Sequence, residues 1–166
     1  MLGILLDLLL GATSSHGTLI IPIETREGIV LCADRREYNS VRGASDNQDK
    51  LFRVTPTMMF AISGNRGILR RGDLHVLYDV PDVINAYLSE HSDKTLEANW
   101  EGLKYELASS YITHLTNGGP AWNAEPGFDG WLYLVTFVSV KPDKSVLVQR
   151  IGVKLTNSER TVETLP

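Results

Sequence analysis

The chain is predicted to fold as an α+β domain in which two stacked β-sheets carry helices on their outer faces. Three observations lead there. Two β-rich strand pairs fill residues 18–63, helical periodicity runs from about residue 68 to residue 116, and a third strand pair follows over 131–153. At 166 residues the chain is about one domain long, enough to bury a sizeable core.

Residues 18–25 and 28–33 read as strands, with Arg26-Glu27 a break of hairpin length between them. Ile20, Ile21, Ile23, Ile29, Val30 and Leu31 supply the β-branched and apolar bulk that suits a pleated surface. Residues 37–49 are polar, with Asn39, Ser40, Gly43, Ser45, Asp46 and Asn47, and are expected to be a loop. Residues 50–54 and 57–63 form a second expected hairpin about Thr55-Pro56. The unbroken run Met58, Met59, Phe60, Ala61, Ile62 is what a strand covered on both faces requires.

From Ile68 to about Glu90 a helical stretch is expected on Leu69, Leu74, Leu77, Ile84 and Leu88, with Pro81 a kink or restart. Ser92 or Asp93 is the expected N-cap of the next helix, residues 94–116. Its Leu96, Trp100, Leu103, Leu107, Tyr111 and Leu115 recur at three- and four-residue steps and read as a core face. Residues 117–129 are a Gly/Pro-rich loop. Residues 131–140 and 145–153 complete the strand pairs, turning about Pro142-Asp143-Lys144.

Composition narrows the function classes. A net charge of −4, with Arg35-Arg36 and Arg70-Arg71 only as pairs, argues against a nucleic-acid or anionic-membrane surface. Cys32 is the sole cysteine, so no internal disulfide can form, which fits a reducing, cytoplasmic compartment. Between Leu31 and Ala33 it is expected to be a small buried hydrophobe. His16, His75, His91 and His114 lack the spacing of a metal site, and no phosphate loop or Ser-His-Asp arrangement is present. No metal and no cofactor are expected.

Residues 1–17 have a short apolar run and small residues near their end, as export or targeting signals do. They lack a basic start, however, and Asp7 interrupts the run. They are too short to cross a membrane as a helix. A retained extension, or a start assigned too early, is another reading.

The chemistry centres on Thr18, which follows His16-Gly17. Asp34 stands 16 positions after it, Lys50 stands 32 after it and Gly64 stands 46 after it. Alone, each is ordinary: a β-branched strand residue, a strand-ending carboxylate, a surface lysine, a strand-to-helix turn. As a set they are the parts of a threonine nucleophile that uses its own freed α-amine as base. That amine titrates near 7.7–8.0, close to ideal for a general base at neutral pH. Asp, Lys and Gly would meet three preset offsets by chance roughly 3 times in 10,000 at ordinary composition, a figure that about a dozen threonines able to anchor the search raise to a few in a thousand and that the Gly before Thr18 lowers again.

The words GTLIIPI, EGIVLCADRR, NQDKLFRV and MMFAISGNRG, together with this spacing, resemble the start of proteasome β-type subunits and their bacterial relatives. The likeness covers about the first half of the chain. It implies a four-layer αββα sandwich of the N-terminal-nucleophile hydrolase type, with residues 1–17 a propeptide and 18–166 the hydrolase domain. Family members continue past the point where this chain stops, so the sandwich is expected to be incomplete at its C-terminus. The family's auxiliary serine and later Asp/Ser pair have no visible counterpart.

The resemblance also implies roles. Gly17–Thr18 would be the self-processed bond, and Gly17 would let the backbone bend toward Thr18 Oγ. Lys50 would stabilise negative charge at that oxygen, Asp34 would orient Lys50, and Gly64 N–H would serve as the oxyanion donor. Arg36 matches an arginine that supports this cluster. Glu37, Gln48, Ile62 and Arg66 fall at substrate-pocket positions. The implied activity is a threonine-type endopeptidase that cleaves peptides or unfolded protein within a ring of like subunits, with an ATPase or other activator as partner. The alternative is a non-catalytic structural subunit of such a ring.

Overall fold

The computed structural model describes residues 19–25, 28–35, 37–39, 43–45, 49–64, 66–69, 76–117, 130–155 and 160–165. The first two strands, β1 (Ile20–Thr25) and β2 (Gly28–Ala33), pair antiparallel from Ile20 against Ala33 to Thr25 against Gly28. Thr25 Oγ1 donates to the Gly28 carbonyl at 3.0 Å and closes the hairpin.

The expected loop over 37–49 instead contains a small hairpin, β3 (Glu37–Asn39) and β4 (Gly43–Ser45). Gly43, Ala44 and Ser45 have low strand propensity, and three residues are too few to show a period, so backbone pairing decides here. The hairpin β5 (Leu51–Thr55) and β6 (Met58–Gly64) follows, as the sequence predicts.

A second difference lies in the stretch read as one helix over 68–90. It begins as two antiparallel strands, β7 (Gly67–Leu69) and β8 (Val76–Asp79), and only Val80–Glu90 is the helix, α1. Leu69 and Leu77 are strand residues, and Leu74 lies outside the described residues. Pro81 marks the helix start rather than a kink, because first-turn N–H groups have no intrahelical partner to lose.

Helix α2 (Leu96–Asn117) is capped by Thr95, not by Ser92 or Asp93. Thr95 Oγ1 accepts the Ala98 N–H at 3.3 Å and the Thr95 carbonyl accepts the Asn99 N–H at 3.1 Å. Ser92 and Asp93 are absorbed in the turn that follows α1, where the Lys94 N–H reaches the His91 carbonyl at 3.1 Å. Buried Asn99 donates from Nδ2 to that same carbonyl at 3.1 Å and binds the turn to α2.

Beyond α2, β9 (Gly130–Val140) and β10 (Val146–Leu155) pair antiparallel, and β11 (Arg160–Leu165) adds to β10. The sequence reading did not include β11, whose Arg-Thr-Val-Glu-Thr-Leu carries little apolar signal. A five-stranded antiparallel sheet results, in the order β11-β10-β9-β6-β5.

Both faces of that sheet are covered at β6. Phe60 and Ile62 point with Val135, Phe137 and Ile151 toward α1 and α2, meeting Ile84, Leu88, Leu96, Leu103, Leu107 and Tyr111 in the main core. Ala61 and Val138 point the other way, against Leu31 with Ile20 and Ile29 of the β1–β2 hairpin. The continuous apolar run of β6 is thus explained by two layers, one on each side. Aromatic rings knit the main core: Phe60 lies 5.5 Å from Phe137, and Trp100 meets Phe137 edge-on at 5.8 Å. Among the described residues no helix is long and apolar enough to cross a membrane.

Tyr78, Tyr111 and Tyr133 meet between α2 and the sheet, and burial pushes all three phenols above their usual titration range. Tyr133 Oη donates to the Leu107 carbonyl at 3.3 Å, while buried Tyr111 Oη has no hydrogen-bond partner among the described residues. An unsatisfied buried hydroxyl costs desolvation without a compensating bond. Tyr111→Phe should therefore leave stability unchanged or raise it by up to about 1 kcal/mol, whereas Tyr133→Phe should cost about 1 kcal/mol. Paired thermal melts check this; equal losses in the two variants would mean that Tyr111 Oη has a partner.

Candidate functional site

Four chain positions converge at one end of the two hairpins. Leu19 precedes β1, Asp34 follows β2, Lys50 precedes β5, and Gly64 ends β6. The β1–β2 ladder extends one step further through the Asp34 N–H, which donates to the Leu19 carbonyl at 3.3 Å. The β5–β6 ladder does likewise, with the Ile62 N–H donating to the Lys50 carbonyl at 3.0 Å. Strand pairing thus fixes the backbone at each of these positions before any side chain acts.

The side chains then join the two hairpins. Lys50 Nζ donates to Asp34 Oδ1 at 2.7 Å, and the Leu19 N–H donates to Asp34 Oδ2 at 3.1 Å. Both carboxylate oxygens are engaged, one by an ammonium and one by a backbone amide. Such charge-assisted bonds are roughly twice as strong as neutral ones. The ammonium is the deeper partner: the Lys50 side chain is 10% exposed and the Asp34 side chain 38%. The structure therefore brings Asp34 and Lys50 together and sets them against the residue that follows Thr18.

Gly64 has a backbone that other residues rarely adopt, with φ +88°. A Cβ there would lie 2.5 Å from the Leu132 carbonyl oxygen and 2.9 Å from Tyr133 Cα. Glycine is needed at this strand end both for its conformation and for the close approach of β9.

Arg66, two residues on, is held from several sides. Its Nε and Nη2 donate to the two oxygens of Asp79 at 2.8 and 2.7 Å, and Nη1 donates to the Asp49 carbonyl at 3.3 Å. Its guanidinium carbon lies 5.1 Å from the centre of the Phe52 ring. The Asp79 hydrogen bond raises the Arg66 pKa, against a smaller lowering by burial. Asp79 holds the N-cap position of α1 yet makes no side-chain capping bond there. Asp49, Phe52 and Asp79 were not singled out from the sequence, where a 13-residue separation between Arg66 and Asp79 carries no signal.

Among the other pocket candidates, Ile62 is buried in the main core beneath the helices. Glu37 stands in β3, and its side chain lies outside what is described. Gly17, Thr18, Arg36 and Gln48 also lie outside the described residues. Cys32 corrects an expectation: it is exposed, not buried. Alternation along β2 turns Leu31 into the second core and Cys32 outward, opposite Ile21. Among the described residues no three His, Cys, Asp or Glu side chains cluster as a metal site would require. No protein-family model matches this chain, and no curated protein matches it.

Proposed function

We propose that this chain is a threonine-type endopeptidase subunit of a proteasome-like ring, activated by its own cleavage of the Gly17–Thr18 bond. One observation carries the reading: the 2.7 Å contact between Lys50 Nζ and an Asp34 carboxylate whose other oxygen accepts the Leu19 N–H. That amide nitrogen is the atom through which Thr18 is bonded to the chain. A fixed cation and carboxylate beside it are what a hydroxyl nucleophile at Thr18 needs for charge stabilisation and orientation.

In this mechanism Thr18 Oγ attacks the carbonyl carbon of the scissile bond, and the freed α-amine takes the hydroxyl proton. The Gly64 N–H receives the developing oxyanion. The amine leaving group departs with a proton, an ester to Thr18 remains, and water activated by the α-amine hydrolyses it. Helices on one face of the five-stranded sheet and the β1–β2 hairpin on the other support reading the chain as part of an αββα sandwich. Enclosure in a ring would limit substrates to peptides and unfolded protein.

Intact mass measurement tests the reading directly. The purified wild type should begin at Thr18, and Thr18→Ala should retain residues 1–17. If both retain them, nucleophile and base are lost together and the proposal fails.

A further inference from the structure

Lys50 stands just before β5, the last strand in the order β11-β10-β9-β6-β5, so among the described residues its strand has one ladder neighbour, β6. Chain held along one edge only opens locally more readily than chain held along two. Arg66 supplies a second hold, and it grips the backbone on both sides of Lys50. Its Nη1 donates to the carbonyl of Asp49, the residue before, at 3.3 Å. Its guanidinium carbon lies 5.1 Å from the centre of the Phe52 ring, two residues after. Phe52 stacks in turn on Phe60 of β6, with ring centres 5.1 Å apart, which roots this end of the grip in the sheet. The Asp49 carboxylate meets Arg35 at 3.4 Å, but both side chains are largely exposed, and a surface pair of that kind is worth little.

Asp79 in turn fixes Arg66, and it forgoes helix capping to do so. An aspartate at an N-cap ordinarily accepts a helix N–H, a bond whose loss costs about 1 kcal/mol. Asp79 makes no such bond; its two oxygens accept Arg66 Nε at 2.8 Å and Nη2 at 2.7 Å. This pair is half-sheltered, with side-chain exposures of 30% for Arg66 and 14% for Asp79. The Val80 N–H at the start of α1 donates to the Arg66 carbonyl at 2.9 Å, so main chain and side chain of Arg66 are anchored at the same helix end. Each guanidinium nitrogen therefore has an acceptor within the protein. A cation engaged in this way is ill suited to receive an acidic substrate group, although the resemblance gives Arg66 a pocket position.

We propose that Arg66, locked by Asp79, is a positioning residue that holds the chain from Asp49 to Phe52 so that Lys50 Nζ stays on Asp34. The N-terminus of α1 thereby sets the geometry of the charged pair. The hold on Lys50 stands on these contacts alone; its effect on catalysis rests on the peptidase reading.

Two variants break the lock at different points. Arg66→Lys keeps the positive charge but cannot reproduce the fork to both Asp79 oxygens and the Asp49 carbonyl. Asp79→Ser removes the paired acceptors while leaving a good N-cap residue, so α1 keeps its start. Acylation with acetic anhydride, read by peptide mass spectrometry, reports on Lys50 without any activity. Lys50 should react about tenfold faster in both variants than in the wild type, because the amine must come away from Asp34 to be acylated. Lys141, paired with Glu97 at 2.8 Å beyond the end of β9 away from Gly64, should keep its rate. Asn99→Ala, which loses the bond to the His91 carbonyl and destabilises the chain elsewhere, should leave Lys50 at its wild-type rate. An unchanged Lys50 rate in Arg66→Lys and Asp79→Ser overturns the proposal. So does a rise matched by Lys141 or by Asn99→Ala, which would report general loosening. Peptide turnover is the second arm: kcat should fall about 10–100-fold in both variants with KM unchanged, equally for an acidic and a neutral peptide. A loss confined to the acidic peptide and carried by KM returns Arg66 to the pocket and overturns the positioning role. A wild type that cleaves no peptide defeats the peptidase reading alone, and the Lys50 rates then decide the proposal.

Discussion

Lys50→Met is expected, if the chain is the proposed peptidase, to lower peptide hydrolysis by about 10²–10³-fold, the cost of removing one charge-stabilising group from a reaction of this kind. Methionine keeps most of the lysine's length and apolar stem, so the side chain can still fill its largely buried position. Asp34 keeps the Leu19 amide, and at 38% exposure it also keeps access to water. The melting temperature should therefore change by only a few degrees. Asp34→Ala should behave in the opposite way. It takes the carboxylate from an ammonium that is only 10% exposed, and breaking a buried pair from that side costs about 3 kcal/mol. For a chain of this size that corresponds to a fall in melting temperature of roughly 6–12 °C. Fluorogenic-peptide turnover and thermal melts on the two variants check the pattern. Full turnover by Lys50→Met would remove Lys50 from the site, and a more stable Asp34→Ala than Lys50→Met would reverse the assignment of the deeper charge.

Phe137→Ala should come close to unfolding the protein. Phe137 is fully buried on β9, between Phe60 on β6 and Trp100 on α2, so its ring joins the sheet to the helical layer. Truncating a buried phenylalanine typically costs 3–5 kcal/mol, which is a large part of the roughly 5–15 kcal/mol that holds a domain folded. At ordinary slopes the urea midpoint should fall by about 2 M with little change in slope. Val148→Ala, on an exposed position of β10, should shift stability by less than about 0.5 kcal/mol. Similar losses in both variants would mean that the core is not centred where these contacts place it.

Where the sequence was readable, a period or a fixed offset did the telling. Met58 to Ile62 announced a strand covered on two sides, and its residues divide between two apolar clusters. The helical face of α2 was visible in Leu96, Trp100, Leu103, Leu107 and Tyr111 at regular steps. Asp34 and Lys50 were named from their offsets to Thr18, and they meet at 2.7 Å. Elsewhere no local pattern existed to be read. β3 and β4 are three residues each, held by backbone pairing that side chains do not advertise. β7 and β8 share apolar residues with the helix that follows, so a helical period continued falsely into them. The resemblance implies a pocket position for Arg66, but its partners Asp79, Asp49 and Phe52 come together only through the tertiary fold. Cys32 is exposed because burial of a strand's outer side depends on whether another layer arrives, which composition does not state.

The Asp34–Lys50 contact crosses from one sheet to another. Asp34 and the Leu19 amide belong to the two-stranded hairpin, while Lys50 and Gly64 belong to the five-stranded sheet. Among the described residues, the hairpin is seated on a small cluster around Leu31, Ala61 and Val138, whereas the main core holds sixteen buried residues. Elements with few buried contacts open at lower free energy than the whole domain does. The charged pair can therefore come apart by a tilt of the hairpin while the rest of the protein stays intact. How closely these groups are held together is then governed by how firmly a minor layer sits, and a change at Leu31 or Val138 could loosen the Asp34–Lys50 pair without touching a single charged residue.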